Sequence, residues 1–281
     1  MTEGNASLQE LRHHHPEWAP WLAIVQVVLS EVVDPKWDSV VPCFSNRQPS
    51  KVPLLAQAKI DSPTNLLGPL LGPLITQLFK VASHSGSPTM STLSALVDSE
   101  LDKPTLFTAA LRQDSPALKK LAESLKVNAE AFEAVAALIP LPFLQACHRT
   151  WQSGLVPGWI ESYCPICGAW PAFAEVRGIE RNRYLRCGRC GAAWQAYGLS
   201  CPYCAMTDHN ELLSLVPENS ALNAVIDACK RCLGYLKAFT KLQGSKPDVV
   251  ILDDLASVEL DIAAAEQGYK RPQGAGFLLH G

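Results

Sequence analysis

A chain of 281 residues with 48% hydrophobic side chains and a net charge of −3 is long enough for one to three globular cores and too apolar to remain disordered. The slight acidity removes the simplest electrostatic case for a nucleic-acid or anionic-membrane partner, because such surfaces reward clustered positive charge. Ten cysteines with no visible export signal argue against a disulfide framework and for metal or redox chemistry.

The first residues carry Glu3, Glu10 and then His13, His14 and His15, neither a basic leader nor a small-residue cleavage site, so a cytoplasmic protein with an exposed histidine triplet is expected. The apolar run Trp21 to Val33 is interrupted by Gln26, Ser30 and Glu31 and falls short of the roughly 20 residues of a membrane span, which makes it a core helix. Pro63, Pro69 and Pro73 punctuate the leucine-rich stretch Leu66 to Phe79, predicting short or kinked helical pieces. Met90 to Leu101 and Thr105 to Arg112 read as two helices with Pro104 at the boundary. Ser115 before Pro116 is the expected cap of a helix carrying Leu118, Leu121 and Leu125. Asn128 caps the next, with Phe132, Val135, Ala136 and Leu138, stopped by Pro140 and Pro142 before a last helix from Phe143 to Trp151.

After Gly154 glycines, aromatics and cysteine pairs take over. Strands are expected at Ala172 to Val176, Arg183 to Leu185, Ala193 to Tyr197 and Leu212 to Val216. Asp253 and Asp254 supply acidic charge at the start of a final helix through Leu255, Val258, Leu260, Ile262 and Ala265, ended by Gly268. The fold class is α plus small β: an all-helical domain (1–154), a rubredoxin-like or zinc-ribbon-like metal module (155–198), and a second such module with a C-terminal helix (199–281).

Eight cysteines form four C-x2-C pairs: Cys164/Cys167, Cys187/Cys190, Cys201/Cys204 and Cys229/Cys232. Two residues between thiolates let a tight turn aim both sulfurs at one point, and a following glycine lets the chain double back; Gly168 and Gly191 do so, while Ala205 and Leu233 stand in the glycine's place in the third and fourth pairs. Joining neighbours along the chain gives two tetrathiolate sites for zinc or a single iron, both coordinatively full and unsuited to Lewis-acid hydrolysis. The second site is expected to be the looser. Cys43 and Cys147, in apolar surroundings, read as small buried hydrophobes. Arg177, Arg181, Arg183, Arg186 and Arg189 form the one locally basic stretch, expected to be solvated or paired with acids. No Walker loop, dinucleotide-binding glycine loop or serine elbow is present, so no enzyme is expected.

The sequences CPICG (164–168), RYLRC (183–187), CPYC (201–204), CKRCLGYLKAF (229–239) and DDLASVELDIAAAEQGYKR (253–271) resemble the formate dehydrogenase accessory protein family. That resemblance implies an assembly factor that contacts the catalytic subunit of a molybdenum-containing formate dehydrogenase, with the eight paired cysteines as ligands and iron as the metal. It also places Tyr235, Lys237, Asp253 and Asp254 in a family-like segment that would meet the partner. Two rival readings are a thiol or electron-transfer oxidoreductase and a zinc-ribbon nucleic-acid-binding protein. The first needs free activated thiolates, the second a salt-sensitive basic face.

Overall fold

The computed structural model describes residues 3–43, 51–58, 67–97, 99–154, 158–196, 199–216 and 223–279. The expected features at Pro63, Leu66 and Tyr197 lie outside these residues. The chain divides into two compact units, Met1–Phe44 with Ala58–Thr150, and Ser45–Gln57 with Trp151–Gly281.

The first unit is helical. Helices α1 (Glu3–His14) and α2 (Ala19–Val32) come first, and α2 buries Leu22, Ile24, Val25, Val28 and Leu29. A short α3 (Leu54–Gln57) belongs to the second unit. The leucine-rich stretch is one helix, α4 (Gly68–Ser83), rather than several pieces. Its prolines sit early: Pro69 occupies the open first turn, where an amide has no helical partner, and Pro73 gives up a single bond one turn on.

The expected helix Met90 to Leu101 is instead α5 (Pro88–Ser91) followed by a 3-10 turn over Thr92–Leu96. Ser91 and Thr92 donate their hydroxyls to the carbonyls of Pro88 and Thr89, both at 2.7 Å, and such local bonds compete with a regular helix. Helix α6 (Lys103–Arg112) starts earlier than expected, because Asp102 accepts from the Thr105 amide at 3.0 Å and leaves Pro104 inside the first turn. Asp114, not Ser115, caps α7 (Ser115–Ser124), accepting from the Ala117 amide at 3.0 Å. Asn128 caps α8 (Ala129–Ala136) as expected, and α9 (Leu141–Trp151) follows. Phe79 stacks on Phe132 and Phe107 meets Phe143 edge-on within this core. Among the described residues, Ala129–Trp151 is the stretch long and apolar enough to cross a membrane, but 83% of its apolar window is buried in the fold.

The second unit is built on one mixed sheet: β1 (Phe173–Arg177), β2 (Asn182–Arg186), β3 (Ala193–Gln195), β4 (Leu212–Leu215), β5 (Ala224–Cys229) and β6 (Tyr235–Lys241). The strand order is β3-β2-β1-β6-β5-β4. Two antiparallel three-stranded ribbons are fused through the parallel pair β1–β6, with Phe173 opposite Lys237 and Val176 opposite Thr240. Helices α10 (Val250–Ala256) and α11 (Val258–Glu266) cover one face. Phe173, Ile226, Tyr235, Phe239, Val250, Leu260 and Ala264 form a shared core there. The single expected C-terminal helix is thus a pair, interrupted at Ser257, and Gly268, at φ +84°, ends it.

Candidate metal centres

The four cysteine pairs fold into four copies of one turn. In each, the amide of the first cysteine donates to the carbonyl five residues on (Ala169, Ala192, Met206 and Gly234), at 2.8–2.9 Å, and the residue four positions on donates back to the first cysteine's carbonyl. That fourth position has positive φ in every copy: Gly168 and Gly191 at +74°, Ala205 at +57° and Leu233 at +56°. Only glycine adopts this conformation without strain, so the two departures noted in the sequence are backbone strain at the second site.

In each ribbon the first strand leaves the first turn, the second strand enters the second turn and the third leaves it. This brings the pairs together as expected from neighbour pairing. Sγ of Cys164 lies 3.5 Å from that of Cys190, and Sγ of Cys167 lies 3.5 Å from that of Cys187. In the other group Cys201 and Cys232 are 3.6 Å apart and Cys204 and Cys229 are 3.7 Å apart. Within each group all four sulfurs lie within 4.8 Å of one another. Disulfides need about 2.05 Å, whereas a tetrahedron with metal–sulfur bonds of about 2.3 Å has edges of about 3.8 Å. The sulfur geometry therefore fits a metal ion in each group. Amides of Ile166, Cys190 and Gly234 point at Cys164, Cys187 and Cys232 at 3.4–3.5 Å, where they would stabilise thiolate charge.

The two groups differ in exposure. Cys164, Cys167, Cys187 and Cys190 are all buried, whereas Cys204 is exposed and Cys232 is half-buried. Burial pushes the Cys164 and Cys190 thiols well above the ordinary cysteine range. At Cys187 burial acts in the same sense, but hydrogen bonds with Cys164, Cys167 and Cys190 outweigh it and hold that thiol well below. Burial also raises Cys201, while at Cys229 it is overcome by the amides of Cys232 and Arg231 and by the Cys204 thiol.

Outside the sulfurs, the first group is wrapped by distant chain. Amides of Leu54 and Leu55 donate to Pro165 and Ile166 at 2.9 and 2.8 Å. Phe277 donates to the Gly168 carbonyl at 2.8 Å, and Lys270 donates to the Leu233 carbonyl, also at 2.8 Å, so the stretch after α11 touches a turn of each group. Behind the first group, buried Arg186 bonds both oxygens of buried Glu175 at 3.0 and 2.8 Å and reaches the Gly191 carbonyl at 3.1 Å. Burial raises the Glu175 carboxyl, but the charge and hydrogen bonds of Arg186 more than reverse this. Arg177 also pairs with Glu175 and Arg183 with Asp227, so three of the five clustered arginines are committed to internal acids.

The segment expected to meet a partner forms an ionic network beneath α10 and α11. Lys237 is fully buried and reaches Asp254 at 2.8 Å and Asp261 at 2.9 Å. Tyr235 donates to Asp261 at 2.6 Å, and Arg271 bridges Asp254 and Asp261 at 2.6 and 2.7 Å. Asp253 pairs separately with Lys241 at 2.6 Å. Asp253 lies in the first turn of α10, as expected of acidic charge near a helix start, with Asp254 just behind it, and both are paired with cations. Burial and the Asp261 hydrogen bond push the Tyr235 phenol up to about 12. For Asp254, burial is outweighed by Arg271 and Lys237, which hold its carboxyl below the usual range. Sequence reasoning missed Asp261 and Arg271, whose signal was only their place in the family-like segment. Of the remaining cysteines, Cys147 is buried as expected, but Cys43 is exposed: it follows the 3-10 turn over Pro35–Val40, outside any helix or strand.

Strain at the fourth turn position can be tested directly. Ala205→Gly and Leu233→Gly, both at exposed positions, are each expected to stabilise the second group by about 0.5–1 kcal/mol. Gly191→Ala should destabilise by about 2–4 kcal/mol, because its Cβ would lie 2.5 Å from Cβ and 2.6 Å from Cα of Pro247. Urea midpoints of the three variants check the signs.

Residues 199–279 match the family model described as FdhE, C-terminal domain. A protein named Protein FdhE homolog from Pseudomonas aeruginosa is 30% identical over 247 residues, covering 77% of this chain and 78% of that protein. Protein FdhE of Escherichia coli O127:H6 is 27% identical over 233 residues, covering 74% of each. The crystal structure of the FdhE protein from Pseudomonas aeruginosa has a similar fold, with a TM-score of 0.57 at 21% identity over 98% of this chain and 94% of that one.

Proposed function

The chain belongs to the FdhE family, and on that premise we propose that it is a cytoplasmic accessory factor in the formation of formate dehydrogenase. It engages the catalytic subunit of the molybdenum-containing enzyme and does not itself catalyse a reaction. The observation that carries this reading is the pair of closed four-sulfur groups on one shared sheet. Cys164, Cys167, Cys187 and Cys190 hold one metal ion, and Cys201, Cys204, Cys229 and Cys232 hold the other. Four sulfurs per ion leave no open position for a substrate, which supports a recognition scaffold over a hydrolytic or thiol-exchange site. Iron is favoured by the family resemblance; zinc suits the same sulfur set. In either case the protein's contribution is to bury and orient the sulfurs and hold the sheet in one shape.

Tyr235, Lys237, Asp253 and Asp254 act in recognition by fixing α10 and α11 on the sheet. Lys237, fully buried, can shape a partner surface only from beneath.

Co-purification from anaerobically grown cells tests the proposal. The catalytic subunit should accompany the metal-loaded chain, deletion should abolish formate oxidation, and the exposed Cys43 should be the thiol that reacts in the native protein, with the buried Cys147 reacting only on unfolding. Intact formate oxidation after deletion, with no dehydrogenase subunit bound, would remove the accessory reading. Several additional reactive thiols would favour the oxidoreductase.

A further inference from the structure

Strand β4 is one end of the six-stranded sheet, and the direction of its free backbone groups can be derived. The Lys230 amide donates to the Glu211 carbonyl at 2.9 Å, which makes Glu211 and Lys230 a hydrogen-bonded rung of the β4–β5 ladder. In an antiparallel pair such rungs alternate, so Leu213 and Leu215 face β5 with their amides and carbonyls, while Leu212 and Ser214 turn theirs to the open edge. Among the described residues no other strand pairs with this edge.

Side chains reinforce the point. Leu213 and Leu215 pack on the core under the helices. Leu212 and Ser214, with a contribution from Leu213, line a cavity of about 160 Å³ whose walls include Leu199, Pro202, Arg183 and Asp227. An engineered apolar cavity of about 150 Å³ accepts a benzene-sized guest, so this one has room for a branched or aromatic side chain. The Arg183–Asp227 ion pair at 2.6 Å, with Ser214 donating to Asp227 at 3.1 Å, already satisfies the charges in its wall. What the cavity offers an occupant is therefore mainly apolar contact. Leu199 in its wall is 78% exposed, and Val216, directly after β4, is 71% exposed. Sheet edges in soluble proteins are commonly guarded by lysine, proline or an inward charge, and the Leu-Leu-Ser-Leu of β4 carries none of these.

We propose that the β4 edge receives an extended polypeptide segment as an added strand, with one apolar side chain of that segment seated in the cavity between Leu212 and Leu199. An extended peptide is the occupant that matches backbone donors and acceptors alternating along a strand. The inference rests on the accessory-factor reading in assigning that segment to the dehydrogenase catalytic subunit. Cys201 and Cys229 also line the cavity, so peptide binding and the second sulfur group share a wall.

Overlapping synthetic peptides covering the catalytic subunit, titrated by fluorescence anisotropy against the full metal-loaded chain, test the proposal. At least one peptide should bind. Its affinity should fall roughly tenfold, the worth of one or two backbone bonds, with Ser214→Pro, which deletes an outward amide and spares the β5 ladder. Leu212→Asp should weaken it similarly. N-methylation of alternate peptide amides should reproduce the loss without altering the protein, which keeps the test decisive if a variant fails to fold. Capture of the intact subunit with no peptide bound, or equal binding by wild type and both variants, would overturn the edge and leave the accessory reading standing. Failure of both subunit and peptides to bind would remove the two together. A wild-type dimer converted to monomer by Ser214→Pro would assign the edge to a second copy of this chain instead.

Discussion

Cys164→Ser is expected to unfold the whole metal-binding unit, whereas Cys204→Ser should leave its sheet standing with one ion bound. Every sulfur of the first group is buried, and its Cys164–Gly168 turn is hydrogen-bonded to segments more than a hundred residues away in sequence. A hydroxyl there can neither replace the thiolate nor find water. The apparent worth of a structural tetrathiolate ion, about 10–16 kcal/mol, equals or exceeds the typical stability of a domain, about 5–15 kcal/mol. At the exposed Cys204 water can take up the vacated position, and the turn already bears strain at Ala205. Metal stoichiometry together with circular-dichroism melts of the two variants distinguishes them. The same asymmetry makes chelation of the wild type biphasic, with the second group emptying first. Matched losses from both groups would contradict this account.

The second large effect lies away from the sulfurs. Asp261→Ala removes at once an acceptor for Lys237, for Tyr235 and for Arg271. Removing one partner of a buried ion pair costs about 3–5 kcal/mol because the remaining charge is left in a poor solvent. Lys237→Met should cost much less, since the long apolar chain keeps its packing and Asp254 and Asp261 keep Arg271. Urea denaturation with metal content held constant reads the difference. If Asp261→Ala falls within about 1 kcal/mol of wild type, the network is not holding the helices to the sheet.

Much of this is legible in the sequence. The cysteine spacing carried both the pairing of the four turns and the division into sulfur groups, because a C-x2-C turn is a local geometry that needs no distant partner. Asn128 and the four expected strands were readable for the same reason. The failures are of a different kind. Strands β5 and β6 were missed because Asp227 and Lys237 interrupt the apolar alternation, and each is neutralised by a residue remote in sequence, Arg183 and Asp261 respectively. The fusion of two ribbons into one sheet depends on the parallel β1–β6 pair, whose partners are separated by more than sixty residues. The caps at Asp102 and Asp114 were displaced by a residue or two, since proline marks the first turn without saying which acid ahead of it will turn inward.

The stretch that follows α11 bears on how the molecule is made. Phe277 secures the turn at Gly168, so the sulfur group that comes first along the chain is finished by a segment lying beyond every cysteine. Order of synthesis is therefore not order of completion: during translation the second group can acquire all four of its sulfurs while the first still lacks its outer wrapping. Closing that loop of more than a hundred residues carries an entropic cost that grows only slowly with length, but such remote contacts form late. Burial of the first sulfur group is accordingly a late event in folding, and protection of the Phe277 amide from hydrogen exchange reports that the chain beyond the last cysteine has docked.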